Sequence, residues 1–147
     1  MKQMNNSPII IKAIRFATEA HKGQERDDGR PFILHPEKTA DILELVTDDA
    51  NLIAAGWLHD TVEDTDVTYT QLVEEFGKDV ADLVREVTKI GIEDSVGYYF
   101  PFLKTQRGIM LKFADRLSNV ADMNTWGDKR KAHYLRKSKF WKSDPRD

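Results

Sequence analysis

The sequence predicts an all-α bundle, and three observations carry that prediction. Apolar residues recur at three- and four-residue spacing in nearly every segment, helix start and stop residues bracket those segments, and no alternating run flanked by turn residues marks a β-hairpin. Ser7 and Pro8 form an N-cap and first-turn pair; Ile10, Ile11, Ile14, Ala17 and Ala20 follow at helical spacing, and Gly23 offers a stop. Gln24 to Leu34 is expected to be a charged loop. A second helix is expected after Pro36, with Ile42, Leu43, Leu45 and Val46 on its buried side. Asp48-Asp49 then lead into Leu52-Ile53-Ala54-Ala55-Gly56-Trp57-Leu58, which is apolar on every face and so belongs inside the protein. Thr68 with Gln71 fits a capping box for a short helix ending at Gly77, and another helix should span Asp79 to Lys89. Gly91 to Tyr99 is expected to be a loop whose neighbours Tyr98, Tyr99, Phe100 and Phe102 either join the core, the commoner case, or line a pocket. Two more helices are expected, from about Phe102 to Met123 and from about Asp128 to Phe140.

At 147 residues the chain suits one domain, residues 1–147, large enough to bury a core without staples. It has no cysteine, so disulfides and thiolate metal sites are excluded, and any transition metal must be held by imidazole and carboxylate. No run reaches the ~18 apolar residues of a membrane span, and the N-terminus lacks the apolar centre of a signal peptide. A soluble, unprocessed, cytoplasmic protein is therefore expected. The net charge of −3 is unevenly spread. Residues 1–127 carry 14 basic and 22 acidic side chains, net −8, whereas residues 128–147 carry 8 and 3, net +5. A solvated basic helix is the commoner reading of that tail, and contact with nucleic acid or a polyanionic ligand is the other. No glycine-rich phosphate loop, zinc-knuckle spacing or RNA-binding aromatic signature accompanies it, so neither nucleic acid nor membrane is an expected partner.

The chemistry is concentrated in Leu58-His59-Asp60-Thr61 and the adjoining Val62-Glu63-Asp64-Thr65. At about 100° per residue, His59 and Glu63 lie roughly 40° apart on one helical face, and Asp60 and Asp64 repeat the relation beside them. Charges at the end of a buried helix need partners or a metal. Taken alone, the dipeptide is more often a solvated helix end than a metal site.

Other segments change that balance. His21-Lys22-Gly23-Gln24-Glu25-Arg26 runs through Gly29-Arg30-Pro31-Phe32 to His35-Pro36; Phe76-Gly77 and Val87-Thr88-Lys89 follow; Leu111-Lys112-Phe113-Ala114-Asp115-Arg116-Leu117-Ser118-Asn119 comes last. From about Ala17 to Asp122 the chain resembles the hydrolase domain of the Rel/Spo alarmone enzymes, a branch of the HD-domain metal-dependent phosphohydrolases. The resemblance implies an HD-domain helical bundle with metal ligands His35, His59, Asp60 and Asp115 and a catalytic acidic pair, Glu63 and Asp64. It places nucleotide-pocket positions on Arg26 and Asn119, and further ones on Lys22, Lys89, Lys112, Arg116 and Asp122.

Two neutral imidazoles and two carboxylates balance one divalent cation and suit manganese or iron better than calcium; the resemblance points to Mn2+. With only His21, His35, His59 and His133 present, one metal ion is the simpler reading. Such an ion would acidify water and offset charge on phosphoryl oxygens. Glu63 and Asp64 would orient or deprotonate that water, or protonate the leaving group, a contribution of about 10²–10⁴-fold; the division between them stays open. Lys22, Arg26, Arg30, Lys89, Lys112 and Arg116 are available for phosphates. His21 is expected to make a structural hydrogen bond and His133 to be exposed.

The function implied is Mn2+-dependent hydrolysis of the 3′-pyrophosphate of the guanine alarmones, guanosine tetra- and pentaphosphate, to GDP or GTP and pyrophosphate, within the stringent response. With no room for a separate synthetase domain, a small stand-alone hydrolase is expected. The residues leave two alternatives: an HD hydrolase acting on an adenine alarmone or the 2′-phosphate of NADPH, and a non-catalytic nucleotide sensor. The sensor is disfavoured because every metal and acid position is filled.

Overall fold

The helix from Ala50 to Leu58 (α3) is the axis on which the other elements pack. The structure, a computed structural model, describes residues 7–89, 103–123 and 126–137. Its other helices are α1 (Pro8–Ala20), α2 (Leu34–Glu44), α4 (Thr61–Asp64), α5 (Tyr69–Phe76), α6 (Lys78–Val87), α7 (Gln106–Ala121) and α8 (Asp128–Lys137). Among the described residues there is no strand, only an isolated bridge between Glu25 and Pro31, so the all-α prediction holds. Gly91 to Tyr99, with Tyr98, Tyr99, Phe100 and Phe102, lies outside the described residues, as does residue 140 at the expected end of the last helix.

α3 starts where Asp49 caps it by accepting from the Leu52 amide. All seven residues from Leu52 to Leu58 are buried, as their unbroken apolar run requires. Enclosing each of its leucine and isoleucine side chains contributes about 1.5–3 kcal/mol. α1, α2, α6 and α7 cover it on separate sides. Gly56 allows the closest approach: a Cβ there would meet Leu43 Cδ1 at 2.9 Å and the Ala40 Cα at 3.3 Å, so α2 can lie against bare backbone. The Thr68 hydroxyl caps α5 by accepting from the Gln71 amide. Gly77, at φ +90°, ends α5 and turns the chain into α6.

Some helix bounds and faces differ from the sequence pattern. α2 begins at Leu34, before Pro36, so His35 is helical rather than in the loop. A proline is tolerated in a first turn because its missing N–H is one of the four that lack intrahelical partners. The buried face of α2 is His35, Pro36, Thr39, Ala40 and Leu43; Leu45 and Val46 follow the helix and are exposed at 76% and 68%. On α1 the buried face is Ile10, Ala13 and Ala17, with Ile11 turned outward. On each helix a large residue, Leu43 or Ile10, shares the buried face with small ones. No helix among the described residues is long and apolar enough to cross a membrane.

Candidate metal centre and the cleft around it

Four side chains from three separate places converge: His35 in the first turn of α2, His59 and Asp60 at the end of α3, and Asp115 in the middle of α7. One ligand atom from each lies within 4.8 Å of the others. His59 Nδ1 lies 2.7 Å from the Gly56 carbonyl, which only accepts, so Nδ1 carries a proton and Nε2 is turned toward the cluster. His35 Nδ1 donates to Ser118 Oγ at 2.9 Å, while that hydroxyl points its own hydrogen toward the His35 carbonyl. Both imidazoles are thus oriented from behind, in the manner of metal-binding histidines.

In front, His35 Nε2 is 2.9 Å from Asp115 Oδ1 and 3.4 Å from Asp60 Oδ2; His59 Nε2 is 3.3 Å and 3.1 Å from the same oxygens. The two Nε2 atoms are 3.2 Å apart. Lone pairs on two ring nitrogens and two carboxylate oxygens repel unless positive charge lies among them. Burial opposes protonation of both imidazoles, yet the two aspartates outweigh it and raise the pKa of His35, and that of His59 more strongly. Asp60 and Asp115 are held below the usual carboxylate range against the same burial, Asp60 chiefly by His59 and Asp115 chiefly by Lys112. The donor set fits a divalent cation, which would meet that demand without protonating either ring. Lys112 Nζ takes the other Asp115 oxygen at 3.0 Å, leaving Oδ1 to the histidines.

The acidic pair sits on α4, a single turn set off from α3 by Asp60 at φ −100°, ψ 0°. The two helices are therefore not one continuous wheel, yet Glu63 and Asp64 both reach the cleft. Glu63 Oε1 accepts from the Lys89 amide at 2.6 Å, and Lys89 Nζ is 3.7 Å from its other oxygen. The Asp64 carboxyl accepts no hydrogen bond among the described residues. Asp64 is solvent-exposed as a residue, but its partly sheltered carboxyl, close to the charges of Asp60 and Glu63, is pushed up to about 6.

The cleft beside the cluster has a volume of about 400 Å³, within the range of small-molecule sites. Arg26, Lys89, Lys112, Arg116, Asn119 and Asp122 all stand on its walls. Arg26 donates to Asn119 Oδ1 at 3.3 Å and pairs with Asp122 at 3.3 Å. Asp122 also draws Arg30 and Lys38, at 3.5 and 3.7 Å, so it gathers cations at the rim. Lys22 departs from expectation. It is exposed in the turn that follows α1 and is not among the residues that line the cleft.

Five wall residues were not singled out from the sequence: Asp27, Asp28, Trp126, Arg130 and Tyr134. Tyr134 accepts from Asn119 Nδ2 at 2.9 Å and stacks under the Arg116 guanidinium at 4.9 Å. Arg130 lies 3.8 Å from the Trp126 ring and pairs with Asp27 across the mouth at 2.5 Å. Arg130 and Tyr134 stand four residues apart on α8, and that spacing was the usable signal in the sequence. His21 makes the expected side-chain bond, to Gln24 at 2.9 Å, and burial pushes its imidazole pKa down. The side chain of His133 lies outside the described residues.

A helical bundle that sets two histidines and two aspartates beside a cleft is what the comparisons meet. The HD domain family model matches residues 13–96, more than half of the chain, and the protein belongs to the HD-domain family. It is 44% identical over 119 residues to a guanosine-3′,5′-bis(diphosphate) 3′-pyrophosphohydrolase of Aquifex aeolicus, covering 76% of this chain and 17% of that protein. It is 34% identical over 142 residues to a probable enzyme of the same name from Synechocystis, covering 89% and 19%. The chain spans less than a fifth of the length of these curated relatives. Among solved structures it is similar to a metazoan ortholog of SpoT described as hydrolysing ppGpp, with TM-score 0.79 and 27% identity over 93% of this chain and 85% of that one.

Proposed function

We propose that this chain is a Mn2+-dependent hydrolase that removes the 3′-pyrophosphate of guanosine tetra- and pentaphosphate. The observation that carries the proposal is the convergence of His35, His59, Asp60 and Asp115 in one wall of a cleft that also holds Glu63, Asp64 and several cations. Relatives named for this activity, and a structural neighbour described as hydrolysing ppGpp, supply the substrate class. His35, His59, Asp60 and Asp115 would hold the metal, which when bound supplies positive charge at the phosphorus and acidifies water.

The chain's own residues divide the remaining work. Glu63, fixed by the Lys89 amide, is suited to orient the attacking water. Asp64, whose carboxyl is not committed to a donor among the described residues, is suited to carry the proton. Water attacks the phosphorus bonded to the ribose 3′-oxygen, that P–O bond breaks, and the proton passes to the 3′-oxygen as intact pyrophosphate departs. Arg26, Arg116 and Arg130 offset phosphate charge, and Asn119, held between Arg26 and Tyr134, presents fixed polar atoms to the nucleoside.

Purified protein supplemented with Mn2+ is expected to release pyrophosphate from guanosine tetraphosphate and to leave GTP, whose phosphates are all 5′, nearly untouched. Faster release of single phosphate from NADPH would overturn the substrate assignment. Binding of the alarmone with no turnover under any divalent metal would favour the sensor.

A further inference from the structure

Gln24 and His21 stand behind the acidic pair, not in the cleft lining. His21 caps the end of α1, is 2% exposed and lies 4.8 Å, ring to ring, from Phe32. Its Nδ1 is 2.9 Å from Gln24 Oε1, and Gln24 Nε2 is 2.8 Å from the backbone carbonyl of Asp64. A carbonyl only accepts, so the Gln24 amide has one orientation that satisfies both ends: Nε2–H donates to Asp64 and Oε1 accepts from His21 Nδ1–H. The proton on Nδ1 leaves His21 Nε2 as a buried atom with no partner among the described residues. An atom left unsatisfied in that way is costly, which marks the ring as held for what its other nitrogen does. Gln24 is itself immobilised through its backbone, donating to the His21 carbonyl at 3.0 Å and accepting from the Phe32 amide at 2.9 Å.

We propose that His21 and Gln24 are positioning residues for the acidic pair: the imidazole sets the Gln24 amide, and the amide pins the turn that carries Glu63 and Asp64. α4 is one turn long and cannot hold itself. At the Glu63 side chain it is tied to the end of α6. At Asp64 the tie is Gln24, 40 residues earlier in the chain. The proposal rests on the hydrolase reading for its kinetic consequence and on the hydrogen bonds alone for its structural one.

The test uses the full chain with Mn2+. Gln24→Met keeps length and loses both polar atoms; His21→Leu removes the donor; His21→Asn puts an amide N–H close to the Nδ1 position. Relative to wild type, Gln24→Met and His21→Leu should lower kcat on guanosine tetraphosphate by about 10-fold with KM changed less than two-fold and metal content intact. His21→Asn should recover most of the loss. Gln24→Met added to Asp64→Asn should cost little more than Asp64→Asn alone, because both act through one group. Unchanged kcat in Gln24→Met, or a loss fully additive with Asp64→Asn, overturns the relay. The structural arm is independent of turnover: the Gln24 side-chain amide should be protected from exchange. The Asp64 carbonyl carbon resonance should move in Gln24→Met and His21→Leu but not in His21→Asn. Should the wild type hydrolyse nothing, the substrate reading fails while these resonances still decide the relay; an unprotected Gln24 amide overturns it either way.

Discussion

α7 carries one polar cluster at its start and another near its middle, and the two are built on opposite principles. At its start, Arg107 reaches both carboxylates that begin neighbouring helices: Asp49 through Nε at 2.8 Å and Asp79 through Nη1 and Nη2 at 2.9 Å each, while Asn51 adds a bond to Asp79. Charges there are matched donor to acceptor, and the cluster ties α3, α6 and α7 together. Further along, Asp115 meets His35, His59 and Asp60 with acceptors facing acceptors. A cluster that closes on itself is architecture. One that leaves lone pairs converging needs something added, and it opens onto a cleft.

The sharpest way to break that comparison is at the second cluster. His59→Ala, or Asp115→Asn, should abolish metal uptake and lower turnover by more than the roughly 10²–10⁴-fold that losing acid–base help costs. Metal analysis of the purified variants alongside the hydrolysis assay reads both. Full metal occupancy in His59→Ala would remove His59 from the ligand set.

A smaller loss should follow at the acidic pair. Glu63→Gln and Asp64→Asn leave the four-residue cluster intact, so each should retain the metal while kcat falls by about 10²–10⁴-fold. Glu63→Gln should be the milder, because an amide oxygen can still accept from Lys89. Near-normal rates in both, beside a dead His59→Ala, would show that the pair plays no part in proton transfer.

How much of this was legible in the sequence varies with the physics of each part. α3 was legible because burial on all sides leaves an unbroken apolar run, Leu52 to Leu58. α2 was half legible: Leu45 and Val46 look like core by hydropathy, but the helix ends at Glu44, and Leu43 and Ala40 fill the contact with Gly56 while the two residues beyond are left outside. At the site, the spacing of His59, Asp60, Glu63 and Asp64 pointed to one cleft, and the resemblance added His35 and Asp115. That these two meet across 80 residues of chain depends on how α2 and α7 pack, which no local pattern states. The His35 tautomer, set by Ser118 83 residues away, and the wall formed by Trp126, Arg130 and Tyr134 are equally tertiary. Lys22 shows the converse, a position given by motif alone that falls outside the cleft lining.

The smallest expected effect sharpens the comparison from the other cluster. Arg107→Met removes the only side chain that joins Asp49 to Asp79 among the described residues, and leaves two carboxylates that water can still reach, since all three groups are at least one-third exposed. Solvent access limits the cost to about 1–2 kcal/mol for the pair of bidentate contacts. Thermal unfolding should therefore begin a few degrees lower, about 2–4 °C per kcal/mol at this chain length, with metal content and activity per folded molecule unchanged. The loss should depend on pH in a definite direction. Asp79 has its pKa lowered by its bonds to Arg107 and Asn51. A carboxyl depressed in the folded state stabilises above its ordinary value of about 3.9 and ceases to do so as pH falls through its folded value. Wild type and Arg107→Met should thus differ most at neutral pH and converge in acid. A gap that stays constant down through the carboxylate range would mean that Arg107 acts by packing its stem and not by its charge; a drop in activity per folded molecule would mean that the two clusters of α7 are not independent.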